Sequence, residues 1–128
     1  MRLLLDTHAV LWSVEAPHRL GPAARADLSD RSHEVLVSVV ALWELATKRA
    51  IGKLQLDVSE VAEELRAQDI DLLPVRPEHA LAVADLPLHH RDPFDRMLVA
   101  QARHEGLTLV TADRRLEAYS VAVLRADA

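Results

Sequence analysis

His90-Arg91-Asp92-Pro93-Phe94-Asp95-Arg96 reads as the opening of a helix. Asp92 stands where an N-cap belongs, Pro93 takes the first helical position, and Asp95 falls three residues after the cap. Behind them Phe94, Met97, Leu98 and Ala102 recur at helical spacing, which predicts a core-facing stripe, and Gly106 marks the stop. Acids in a first turn satisfy free N–H groups and the helix dipole, so Asp92 and Asp95 have a purely structural use. Other acids share their setting, however. Asp6, Glu44 and Asp113 each lie at or beyond the end of an apolar run that reads as a strand.

Working outward, Arg2–Leu5 is a continuous apolar run suited to a strand covered on both faces. Asp6-Thr7 ends it, and Ala9, Val10, Leu11, Trp12 and Val14 continue as a short helix bounded by Pro17. Asp6 is either the N-cap of that helix, with Thr7 competing, or a ligand-facing group at a strand's carboxyl end. Further strands are expected at Glu34–Ser38, Asp71–Val75, Leu107–Thr111 and Val121–Leu124. Helices are expected at Ala23–Leu28, 39–50, 58–65 and 78–86. In the second of these Val39, Leu42, Trp43 and Ala46 should be buried; in the last, Ala80, Leu81 and Ala84. Alternation of strand and helix, without a linker or repeat, predicts one α/β domain over residues 1–128. Its sheet should be mostly parallel, with four to five strands flanked by helices.

Composition narrows the chemistry. There is no cysteine, so neither disulfide nor thiolate is available. A net charge of −5 argues against a broad basic surface that grips nucleic acid, and with few aromatics a stacking platform for bases is not expected. Three glycines, none in a phosphate-cradling loop, disfavour a nucleotide-binding site. No apolar run could span a bilayer and the N-terminus meets Asp6 too early for a signal peptide, so a cytoplasmic protein is expected.

The carboxyl ends of parallel strands share one edge, so Asp6, Glu44, Asp95 and Asp113 could converge there. Several carboxylates without histidine or cysteine interleaved are hard oxygen donors suited to Mg2+ or Mn2+. Without a metal such a cluster repels itself and its pKa values rise. Metal-activated water at such a site is a route to phosphodiester hydrolysis. Glu44, in a turn otherwise apolar, needs an answering cation, and Lys48 four residues on could supply a surface bridge. Lys48, Arg49 and Lys53 are either a solvated helix end or a phosphate-contacting patch. Thr111 or Ser38 could orient a carboxylate or a water. Loop histidines, His90 among them, read as exposed.

These residues resemble the motifs of PIN-domain proteins, in order and over essentially the whole chain. They are Leu3-Leu4-Leu5-Asp6-Thr7-His8, Ser38-Val39-Val40-Ala41-Leu42-Trp43-Glu44, the stretch from His90 through Ala102, and Leu109-Val110-Thr111-Ala112-Asp113. The likeness is closest to VapC-type toxins of bacterial toxin–antitoxin pairs. It implies a Mg2+- or Mn2+-dependent endoribonuclease, a cognate VapB-type antitoxin, a homodimer, and promoter DNA met only through the antitoxin. Carried over, Asp6, Glu44, Asp95 and Asp113 are the catalytic and metal-binding set. Asp92 matches as a cap, and Arg96 as a group that holds the carboxylates or meets RNA phosphate. Lys48, Arg49, Lys53, Arg91, Arg114 and Arg115 are further basic candidates for the substrate surface. Two other readings are a non-catalytic protein- or RNA-binding module and a DNA-directed nuclease.

Overall fold

The computed structural model describes residues 1–128. Five strands, β1 (Arg2–Leu5), β2 (Glu34–Ser38), β3 (Asp71–Leu73), β4 (Thr108–Thr111) and β5 (Val123–Arg125), form one sheet in the order β3-β2-β1-β4-β5. Every pairing is parallel. The helices are α1 (Thr7–Glu15), α2 (Pro22–Ser29), α3 (Val39–Ala50), α4 (Val58–Ala67), α5 (Pro77–Ala82) and α6 (Pro93–Glu105). The chain therefore has the expected α/β architecture. The third strand ends two residues early, where Pro74 removes a ladder donor, and the fifth starts two residues late and runs to Arg125.

Successive side chains of a strand face opposite ways, and here both faces are covered. Leu3 and Leu5 of β1 join Val37, Val110, Val10, Leu45 and Leu65 in one core. Leu4 joins Leu36, Leu109, Leu98, Leu116 and Tyr119 in the other. That is why β1 is apolar throughout. The order reverses at β1, with β2 on one side and β4 on the other, so the carboxyl ends of β1 and β4 border a switch point where such sheets bind ligands.

Two helical faces differ from the expected ones. In α3 the buried residues are Val40, Ala41, Glu44 and Leu45; Val39 and Leu42 are half-buried, and Trp43 and Ala46 are exposed. Ser38, the last residue of β2, caps α3 through Val40 N–H (3.0 Å), which sets the rotation of a helix apolar on nearly all sides. In α5 and the 3-10 turn after it, Ala80, Leu81 and Ala84 are exposed, while His79 and Leu86 are buried. His79 is tolerated inside because Nδ1 accepts Arg76 N–H (3.0 Å) and Nε2 meets Glu105 Oε1 (2.8 Å).

The C-terminal segment closes the far edge. Gly21 N–H donates to Ala126 O (2.9 Å), and Ala23 and Ala24 N–H at the start of α2 donate to Ala128 O (2.9 and 3.2 Å). A Cβ on Gly21 would lie 1.9 Å from that oxygen, so only glycine permits the approach. Gly21→Ala is expected to displace the segment, uncap α2 and lower stability by about 1–2 kcal/mol, read as a reduced urea midpoint.

Candidate active site

Asp6 follows β1 directly and is 4% exposed. Its N–H continues the ladder to Val110 O (3.0 Å), while its Oδ1 accepts Ala9 N–H (2.8 Å) and caps α1. Asp6 wins the cap from Thr7, whose hydroxyl instead donates to Glu44 Oε1 (2.6 Å). Burial pushes the Asp6 carboxyl above the usual range, and the Glu44 charge adds to that rise. Hydrogen bonds from the Thr111 hydroxyl and Ala9 N–H, with the nearby His8, offset it only in part.

Glu44 enters the same region from the inner face of α3. Its second oxygen, Oε2, is met by Lys48 Nζ at 2.8 Å. The i,i+4 bridge expected at the surface thus forms on a buried carboxylate.

Asp95 comes from the first turn of α6. Asp92 caps that helix by accepting Phe94 and Asp95 N–H (2.8 and 3.0 Å). The Asp95 side chain is 19% exposed, and its Oδ2 meets His90 Nε2 at 2.8 Å. Burial raises its pKa to about 6, with the charges of Asp92, Glu44 and Asp6 adding to the rise against the His90 hydrogen bond. Asp6, Glu44 and Asp95 are therefore close enough to feel one another.

Asp113, just past β4, caps the 3-10 turn Arg114–Ala118 through Arg115 N–H (2.9 Å). Its two oxygens take the Arg115 guanidinium at 3.1 and 2.8 Å, which holds its pKa below the usual value. Thr111 is buried beneath it and accepts Asp113 N–H (3.0 Å). The tightest group of candidate ligand atoms is His90, Asp95 and Asp113, all within 4.8 Å of one another.

The remaining candidates separate. Arg91 is exposed on the loop before α6. Arg49 turns away to donate to Gln55 O (2.8 Å), and Lys53 is exposed past the end of α3, so Lys48 alone of that cluster reaches an acid. Arg96 touches no carboxylate; its guanidinium donates to loop carbonyls and the Tyr119 hydroxyl. Sequence reading undervalued His90. Its contact with Asp95 spans five residues across Pro93, a spacing that no helical pattern flags. Trp43 was also unexpected: 62% exposed beside Glu44, its ring meets Phe94 edge-on at 4.8 Å between centroids.

The donors fit a hard divalent cation. Asp6 and Asp95 are oxygen donors with raised pKa values and no lysine or arginine partner, and a nearby cation would return both to the ionised form. The largest cavity, about 530 Å3 between Leu20, Leu28, His33 and Ile70, includes none of the four acids. The acids belong instead to the open carboxyl edge of the sheet.

Comparison with known proteins agrees with this architecture. The PIN domain family model matches residues 3–122. The chain is 31% identical over 120 residues to Ribonuclease VapC22 of Mycobacterium tuberculosis, covering 91% of each. Its fold resembles VapBC2 of Rickettsia felis, solved with a promoter DNA fragment (TM-score 0.73, 14% identity, 97% of this chain and 98% of that one). It also resembles FitAcB of Neisseria gonorrhoeae (TM-score 0.61, 24% identity, 96% of each). With four acids at the β1–β4 edge of an all-parallel sheet, and a family match over nearly the whole length, the chain belongs to the PIN-domain family, among its VapC-type members.

Proposed function

We propose that the chain is a Mg2+- or Mn2+-dependent endoribonuclease acting as the toxin of a toxin–antitoxin pair. The observation that carries this is the pair Asp6 and Asp95, one buried and one partly buried carboxylate near enough for their charges to couple and without a lysine or arginine partner, in a chain akin to a ribonuclease. The ion, when bound, polarises a phosphodiester and lowers the pKa of water. Asp6 and Asp95 bind it, and Glu44 and Asp113 complete the acidic set. Thr111 holds the Asp113 backbone through its N–H, and His90 fixes the Asp95 carboxylate through Oδ2. Exposed Arg91 and Arg114 offer charge to the RNA backbone.

Names of the relatives support a VapB-type antitoxin as partner, with promoter DNA reached through it. We assign a homodimer and a cytoplasmic location on family kinship. No helix is long and apolar enough to cross a membrane.

The test is cleavage by purified, antitoxin-free protein of single-stranded RNA, structured RNA and DNA, with Mg2+, Mn2+ or EDTA. RNA should be cut with either metal, spared in EDTA, and cut again when excess Mn2+ is added; DNA should remain intact. Cutting indifferent to EDTA, or a preference for DNA, would overturn the assignment. Intact RNA with no measurable Mn2+ binding would favour a non-catalytic interaction module.

A further inference from the structure

The four acids are not equivalent in how their charge is answered. Asp113 is held by both arms of the Arg115 guanidinium. Glu44 has Lys48 Nζ at 2.8 Å on one oxygen and the Thr7 hydroxyl at 2.6 Å on the other. Asp6 accepts Ala9 N–H, which carries no charge. Asp95 has a histidine rather than a permanent cation. Asp92, nearby, spends its side chain on the N–H groups of the α6 terminus. Two of these carboxylates thus already have cations of the chain's own, while Asp6 and Asp95 have no permanent one and are left to share a divalent ion.

We propose that Lys48 is a built-in second cation: anchored on Glu44, it keeps that carboxylate out of the ion's coordination and limits the site to a single divalent ion carried by Asp6 and Asp95. This rests on the metal-dependent reading above and specifies it. The geometry suits the role. Lys48 and Glu44 sit one turn apart on α3, so the pair is held by the helix itself, and the Glu44 side chain is 8% exposed. Buried carboxylates need a compensating charge, and an ammonium supplied by the chain provides it whether or not the ion is bound. Lys48 is a positioning residue here, acting through Glu44.

The test counts ions rather than turnover. Mn2+ is titrated into the purified protein and followed by electron paramagnetic resonance and calorimetry, with thermal melts to confirm folding. Wild type should take up a single Mn2+ per chain. Lys48→Met frees Glu44 and should admit a second Mn2+ or tighten uptake by about tenfold or more, the scale at which neighbours of a metal ligand act. Lys48→Arg, which keeps the charge, should behave as wild type. Lys48→Met with Glu44→Gln should return to a single ion, an outcome that a merely structural lysine would not produce. Two ions in wild type, or a Lys48→Met protein that folds and binds Mn2+ unchanged, would overturn the proposal while leaving a metal-dependent nuclease intact. No Mn2+ uptake by wild type would overturn both.

Discussion

Asp95→Asn is expected to abolish RNA cleavage while making the metal-free protein more stable. The loss should be on the order of a thousandfold or more, comparable to removing a charge-stabilising group at a reacting centre. The gain in stability follows from the cost of ionising Asp95 in the fold. Its pKa rises from 3.8 to about 6, mainly through burial and then through repulsion from Asp92, Glu44 and Asp6. At neutral pH that corresponds to at most roughly 3 kcal/mol of destabilisation, and about 2 kcal/mol is a realistic recovery from a neutral amide. For a chain of this size the melting temperature should rise by roughly 5–10 °C. A protein that lost both activity and stability would show instead that Asp95 serves packing. Glu60→Gln, on the exposed face of α4, is the control and should change neither.

The same carboxylates give the metal-free protein a pH dependence of definite sign. A raised carboxyl pKa means that the protonated form is favoured in the fold. Its contribution to stability is complete below pH 3.8 and is lost as pH rises through about 6. Asp6 is raised as well and acts in the same direction. The lowered groups, Asp113 and Glu105 among them, act oppositely and lose their contribution as pH falls below the ordinary carboxylate range. Between pH 4 and 7 the carboxylate contribution should therefore weaken the metal-free protein, and Asp95→Asn should flatten much of that slope. Saturating Mn2+ should flatten it in wild type too, because the ion takes over the charge that protons otherwise cancel.

What was legible beforehand depended on whether a residue's role lay in its own element. The strands and the helix from Pro93 were readable because caps, proline and period are local signals, and they sufficed to bring the acids to one edge. The faces of α3 and α5 were not readable. Apolar residues surround α3 nearly completely, so its rotation is set by the Ser38 cap and the sheet beneath. In α5 a buried histidine takes the place an apolar residue was expected to fill, made possible by Glu105 on another helix. The contacts between Thr7 and Glu44 and between His90 and Asp95 likewise join groups that no periodic pattern relates.

Arg96 shows the same limit, and it leads to the second large effect. Beside Asp95 in sequence, it invites a role on the carboxylates or on phosphate. In the fold its Nη1 donates to Pro87 O (2.9 Å) and the Tyr119 hydroxyl (3.2 Å), and its Nη2 to Val83 O (3.2 Å) and Leu86 O (3.3 Å). Those carbonyls belong to the segment that leads to His90, whose own N–H is held by the same Tyr119 hydroxyl (3.1 Å). The arginine therefore fastens the His90 loop onto α6. Arg96→Met is expected to cost about 3 kcal/mol, less than the sum of its bonds because water reaches part of the loop. Hydrogen exchange should rise over residues 83–92, and cleavage should fall roughly 10–100-fold as Asp95 loses a fixed partner. Arg96→Lys should rescue little, since one ammonium cannot reproduce a planar fork aimed at several acceptors. A contact with RNA phosphate predicts the reverse pattern: an unchanged melting temperature, weaker RNA binding, and a shallower dependence of that binding on salt. Comparing melting and salt dependence in one variant decides between the two roles.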